Sequence, residues 1–124
     1  MSELDTKQRV LVAFYTEYQK DLPNMGEVTA EAVGMSQNKF AMAIKKLENE
    51  GLLTGGKYAK GDSVFTDFVM VTNYGLAYVE EKLEIQPTMS AGEKTKEVTK
   101  KAGLWGYNEL KDFAVKVTAE MLKG

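Results

Sequence analysis

The chain has 124 residues, 44% of them hydrophobic, and a formal net charge of −2. It contains neither cysteine nor histidine, which excludes disulfides, the usual zinc sites and any catalytic arrangement built on a Cys or His side chain. No stretch is long and apolar enough for a transmembrane helix, and the polar first residues do not resemble a signal peptide. We therefore expect a folded cytoplasmic protein that is not an enzyme, needs no metal or cofactor and does not enter a membrane.

The first part of the chain predicts two helices. Asp5 and Gln8 have the spacing of a capping box, which opens the first helix. Pro23 ends this element, because a proline biases the residue before it away from helical geometry. Asn24 is the predicted cap of a second, shorter helix, and Gly34 can end that helix in a left-handed conformation.

A third helix is predicted after a short turn. Ser36 is its expected N-cap, apolar residues recur at helical spacing from Phe40 onward, and Gly51 ends it. The turn from Gly34 to Ser36 is as short as a helix-turn-helix requires.

Two strands are predicted next. The first includes Leu52, Leu53 and Tyr58, residues 60–63 form a turn, and residues 64–71 form a second strand rich in β-branched and aromatic side chains. Two strands joined by a glycine-containing turn, directly after the third helix, have the order of a wing.

The fourth helix is predicted to begin after Thr72, its N-cap, and to complete a first domain of residues 1–83. Gly75 lies in the first turn of this helix. Since a helical glycine costs about 1 kcal/mol relative to alanine, we expect it to allow a close approach to a neighbouring element.

The rest of the chain is predicted to be helical after a linker at residues 84–92. Ser90 and Glu93 repeat the capping-box spacing, and residues 93–124 form a C-terminal helical segment for packing or dimerisation. The predicted fold is therefore mainly α with a small antiparallel β-wing (α+β): a winged helix-turn-helix with a C-terminal helical extension.

Two stretches, residues 33–53 and residues 71–80, resemble the helix-turn-helix and the strand-to-helix passage of bacterial winged-helix regulators. Together with the wing length, they are most similar to the small YjcQ-like family of winged-helix proteins of bacilli and their mobile elements. The scaffold is also similar to MarR-like and PadR-like repressors, which bind DNA as dimers. The resemblance implies a homodimeric DNA-binding protein that regulates transcription or serves a phage or other mobile element.

The third helix and the wing supply the candidate DNA-binding surface. In a helix-turn-helix, the start of the second helix enters the major groove of double-stranded DNA. Residues 36–66 contain five lysines and three carboxylates and are the only third of the chain with net positive charge. Gln37 and Asn38 can pair with adenine edges, and lysines can reach guanine or phosphate. The candidate DNA contacts are Ser36, Gln37, Asn38, Lys39, Met42, Lys45, Lys46, Lys57 and Lys60.

The same helix departs from the regulator pattern. Ala41 and Met42 stand where such regulators often carry a polar residue and an arginine, and Arg9 is the only arginine of the chain. Lysine copies the bidentate grip of arginine on guanine poorly. An outward methionine also suits a protein partner, because its side chain adapts to irregular apolar contacts. The alternative function is a protein-interaction module that docks on a partner without binding DNA.

Apolar side chains of the wing and the C-terminal segment are the candidate dimer or partner contacts. If Val69 and Val71 face the core, Phe68 and Met70 point the other way. They then need a cover, which is either the C-terminal helix, a second subunit or a foreign partner. The apolar stripe of the last helix also has two interpretations: it is either an internal core face or a seam between two chains. The candidates are Phe68, Met70, Trp105, Leu110, Phe113, Val117 and Met121.

Overall fold

The computed structural model describes residues 4–61 and 63–123. Its helices are α1 (Thr6–Tyr18), α2 (Ala30–Val33), α3 (Gln37–Asn49), α4 (Asn73–Leu83), α5 (Ala91–Leu104) and α6 (Asn108–Lys123), with a 3₁₀ turn at Met25–Glu27. Its strands are β1 (Leu53–Thr54), β2 (Lys57–Tyr58), β3 (Val64–Phe65) and β4 (Met70–Val71). The prediction of a mainly helical protein with a small antiparallel β region is confirmed.

Helix α1 is the centre of the packing. The predicted capping box is present: the Gln8 amide donates to the Asp5 carboxylate at 2.8 Å, and the Gln8 side chain accepts from the Asp5 amide at 2.9 Å. All residues from Val10 to Glu17 are buried, so α1 is covered on every side. Helices α3, α4, α5 and α6 all contact it.

The segment before α3 differs from the prediction in its cap. Asn24 precedes the 3₁₀ turn and makes no side-chain cap, whereas the Thr29 hydroxyl accepts from the Ala32 amide and begins α2. Because the chain forms the 3₁₀ turn first, the N-cap of α2 is Thr29 rather than Asn24. Gly34 ends α2 in the predicted left-handed conformation, with φ of 75°.

The β region consists of two short antiparallel pairs, β1 with β4 and β2 with β3. The predicted continuous strand over residues 64–71 is wrong, because the chain leaves strand geometry at Thr66. Its hydroxyl donates to the carbonyls of Met25 and Val28, at 3.0 and 3.3 Å. Gly55, between β1 and β2, has a φ of 88°. It lies so close to the Phe68 carbonyl that a side chain at this position would collide with it.

The C-terminal helices share the core of the N-terminal segment. Leu110, Phe113 and Val117 are buried in the same hydrophobic cluster as the side chains of α1. Their own chain covers these three residues, which agrees with the interpretation of the stripe as an internal core face, and a role in a dimer or partner surface stays a prediction. Trp105 and Met121 are half-buried and pack against that cluster. Among the residues described, no helix combines the length and apolarity needed to cross a bilayer.

Candidate nucleic-acid interface

Helix α3 presents one polar face outward. Ser36 caps the helix by accepting from the Lys39 amide at 3.3 Å, and Phe40, Ile44 and Leu47 anchor the inner face in the core. The predicted side chains on the other face are exposed: Gln37, Asn38, Lys39, Met42, Lys45 and Lys46. Ala41, which the sequence also placed outward, is only 7% exposed.

The antiparallel pair of β2 and β3, which lies where the sequence predicts the wing and keeps that name below, is held against one flank of α3. The hydroxyl of Tyr58, in β2, donates to the Glu48 carboxylate, and the Gly56 amide donates to the same carboxylate at 2.7 Å. The Lys45 ammonium lies over the Tyr58 ring, 4.9 Å from its centroid. Burial, followed by the hydrogen bond and the charge of Glu48, raises the pKa of Tyr58 well above its ordinary value. The phenol thus stays protonated and holds the wing against the helix. Ala41 lies on the same flank of α3, one turn before Lys45 and two turns before Glu48. This position explains its burial.

The two wing lysines, Lys57 and Lys60, are exposed. Directly opposed residues of an antiparallel pair share a face, and neighbours along a strand alternate. Lys57 is opposed to Phe65, and Tyr58 to Val64. Since Tyr58 contacts α3, Lys57 lies on the outer face of the wing. Lys60 is exposed in the turn between β2 and β3.

A groove runs along the other flank of α3, between it and the start of α1. Its volume is about 320 Å³, and it is lined by Thr6, Lys7, Asn38, Lys39, Met42, Ala43 and Lys46. The Lys7 ammonium lies 2.6 Å from a carboxylate oxygen of Glu50, the residue that caps the end of α3. Lys7 is the residue at this surface that the sequence did not indicate, because more than thirty positions separate it from the other lysines of the groove.

One carboxylate, that of Glu109, lies beside the turn that leads into α3. A shallow depression between α2 and α6 is lined by Glu27, Thr29, Glu31, Ala32, Glu109, Asp112, Phe113 and Lys116. The Glu109 carboxylate covers Gly34, since a Cβ built on that glycine would lie 2.8 Å from its oxygen. The turn before α3 is thus adjacent to one negative charge, whereas the exposed face of the helix carries Lys39, Lys45 and Lys46.

Three apolar side chains of the β region are exposed. Val69 and Val71 are buried, as predicted, while Phe68 and Met70 are 71% and 48% exposed and Phe65 is 56% exposed. The C-terminal helix does not cover them. These three exposed side chains, Phe65, Phe68 and Met70, are together named the wing patch.

The remaining polar clusters tie helices together. The Tyr15 hydroxyl and the Lys94 ammonium both donate to Glu80, at 2.9 and 2.8 Å, and link α1, α4 and α5. Arg9 lies over the Tyr107 ring, 5.2 Å from its centroid. Within residues 4–61 and 63–123, no group of three or more potential ligands is placed to hold a metal ion.

Comparison with known proteins gives no relative: no family model, curated protein or solved structure matches the chain. The resemblance to the YjcQ-like family stays a prediction.

Proposed function

We propose that this protein is a winged helix-turn-helix DNA-binding protein in which α3 is the recognition helix. Its role would be regulation of transcription or service to a phage-like mobile element. The observation that carries the proposal is the outward face of α3, where polar and lysine side chains stand exposed on a helix anchored from behind by core residues.

The surroundings of α3 support this proposal. A three-residue turn with left-handed Gly34 joins α2 to α3, as in a helix-turn-helix. The hydrogen bonds from Tyr58 and Gly56 to Glu48 fix the wing beside the helix, so the two elements can meet DNA together. A rigid pairing of this kind lowers the entropy lost on binding.

The charge distribution orients the proposed complex. Glu109 and its neighbours repel phosphates from the turn before α3, so Ser36 is a poor phosphate contact. Lys39, Lys45 and Lys46 are better placed, and Asn38 between them can reach a base edge. DNA therefore approaches the middle of α3 with its backbones along the two flanks.

Fluorescence anisotropy with labelled duplexes tests the proposal, including the DNA that flanks the protein's own coding region. Lys45→Ala and Lys46→Ala should each weaken binding and lower the slope of log K against log salt by about 0.9. Asn38→Ala should change the sequence preference instead. Lys100→Ala, an exposed lysine of α5, is the control. Wild-type protein that binds no duplex at low salt would refute the function.

The wing patch favours a second candidate function, docking on a protein partner without DNA binding. Exposed aromatic side chains are enriched at the centres of protein interfaces. Phe68→Glu should then abolish capture of the partner in a pull-down and leave DNA binding unchanged. Tyr74→Glu, at an exposed aromatic position of α4, is the matched control.

A homodimer that presents two copies of α3 remains a prediction. Since the described chain covers the stripe of α6, we assign the interface of such a dimer to the wing patch, whose three side chains are exposed. Light scattering of wild-type protein and of the Phe68→Glu variant tests this.

A further inference from the structure

The groove between α1 and α3 has the chemistry of a phosphate site. Its lining contains three lysines, the hydroxyl residue Thr6 and the amide residue Asn38, and none of the lining residues is acidic. The other two lining side chains, Met42 and Ala43, are apolar and can pack against a sugar. Lysine, hydroxyl and amide groups are the usual partners of the DNA backbone.

Lys7 is available to such a ligand, although it is paired. The side chains of Lys7 and Glu50 are 34% and 41% exposed, and an ion pair of this exposure contributes little to stability. The hydrogen bond to Glu50 raises the pKa of Lys7, and a lysine without such a partner is also cationic at neutral pH. The Lys7 ammonium can therefore leave the Glu50 carboxylate for a phosphate with little loss of folding free energy.

The start of α1 does not itself supply the anion site. The carboxylate of Asp5 already accepts from the Gln8 amide, and its charge also acts on Lys7. The carboxylates that face the Lys7 ammonium are thus Asp5 and Glu50, and an incoming phosphate competes with Glu50 directly.

We propose that this groove holds the backbone of duplex DNA, with Lys7 leaving Glu50 to clamp one phosphate from α1 while Lys46 and Lys39 hold the adjacent phosphates from α3. The inference rests on the proposed function and adds a contact outside the helix-turn-helix. Such a contact fixes the register of α3 in the major groove without reading sequence. Glu50 acts as an internal competitor that weakens binding.

Duplex binding over a range of salt concentrations tests the clamp. Lys7→Ala should weaken binding about threefold to tenfold and lower the salt slope by about 0.9, as expected for one lost phosphate contact. Lys7→Arg should retain the wild-type slope. Glu50→Gln should tighten binding, because it frees Lys7 and removes a negative charge.

The matched control is the exposed pair of Lys116 and Glu27, whose charged atoms are 3.4 Å apart on another face. Lys116→Ala should leave the salt slope unchanged, and thermal unfolding verifies that every variant is folded. If the wild-type protein binds no DNA, the proposed function fails and the clamp with it. If Lys45→Ala weakens binding while Lys7→Ala keeps the wild-type affinity and slope, the clamp alone is overturned.

A free phosphate ester shares this chemistry with the DNA backbone. Amide NMR shifts of Lys7, Asn38 and Lys46 separate the two sources at constant ionic strength. Shifts with the duplex but not with inorganic phosphate support the backbone. Saturable shifts with inorganic phosphate alone overturn the assignment to DNA in favour of a small phosphorylated ligand.

Discussion

Gly75 is the residue at which α4 comes closest to the β region. A Cβ at this position would lie 2.3 Å from the Leu52 carbonyl oxygen and 2.9 Å from a methyl group of Val71. The obstacle is largely backbone and cannot rotate away. The sequence indicated this close approach from the helical position of the glycine alone.

Gly75→Ala should therefore destabilise the protein by about 1–3 kcal/mol, the usual cost of overpacking, although alanine is the better helix former. The urea midpoint measures the change. Gly92→Ala is the control, since Gly92 is also in the first turn of a helix and nothing lies within 4 Å of its added Cβ. A neutral Gly75→Ala variant would show that α4 is placed less closely than described.

A second residue-level feature is the ion cluster of Lys20, which binds both Glu17 and Glu120. Glu17 is buried and also accepts from the Asn24 amide at 2.8 Å. The hydrogen bond from Lys20 lowers the pKa of Glu120 below its ordinary value of 4.5, against a small opposing effect of burial. Lysine 20 thus joins the end of α1 to the end of α6.

The lowered pKa predicts an acid-dependent contribution to stability. A carboxylate with a depressed folded-state pKa stabilises above its unfolded-state pKa, and this contribution is lost as the pH falls from about 4.5 through the folded value. Glu120→Gln should lower the urea midpoint at pH 7, and the difference from wild type should shrink as the pH falls below about 4.5. Glu81→Gln, an exposed glutamate of α4, controls for loss of surface charge. A difference that stays constant with pH would contradict the assignment.

At the scale of elements, one carboxylate of α3 accepts two hydrogen bonds from the wing. Glu48 accepts from both Gly56 and Tyr58, so its removal should release β2 from the helix. We expect Glu48→Ala to accelerate hydrogen exchange of the Gly56 amide at least tenfold, the change in a local opening equilibrium produced by about 1.4 kcal/mol. Glu48→Gln retains an acceptor oxygen and should change exchange less.

Tyr58→Phe separates the two contacts of the wing. It keeps the ring beneath Lys45 but removes the hydroxyl bond to Glu48, so Gly56 protection should remain close to that of wild type. Unchanged exchange in Glu48→Ala would mean that other contacts hold the wing.

The elements that sequence predicts best are those set by neighbours in the chain. Both capping boxes, at Asp5 and Ser90, depend on residues three positions apart, and the cap at Thr72 is of the same kind. The interruption of the second strand at Thr66 was not predictable, because its partners are carbonyls about forty residues away.

The candidate site shows the same limit. Helical spacing was sufficient to place Asn38, Met42 and Lys45 outward. Ala41 is buried because the wing reaches that flank, and Lys7 joins the surface because α1 packs beside α3. Both facts follow from the way the helices and strands pack against one another. The spacing of apolar residues along the chain carries no information about that packing.

At the scale of the molecule, one core spans both predicted segments. Helix α1 is covered by α3 and α4 from its own segment and by α5 and α6 from the C-terminal one. Val98, Leu110, Phe113 and Val117 belong to the same buried cluster as Leu11 and Phe14. The boundary at residue 83 therefore divides the sequence but not the hydrophobic core.

This shared core predicts that residues 1–83 do not fold alone. Losing a single large buried side chain costs about 2–5 kcal/mol, so removing the several that α5 and α6 contribute exceeds the 5–15 kcal/mol that stabilises a typical domain. The fragment should lack amide chemical-shift dispersion and cooperative urea unfolding, whereas the whole chain should unfold in one transition. Truncation after Met121 is the control, since Leu122 is 81% exposed and its removal should be neutral. A fragment of residues 1–83 that unfolds cooperatively would instead establish the N-terminal segment as an independent domain, with the C-terminal helices free to leave it and to pair between chains.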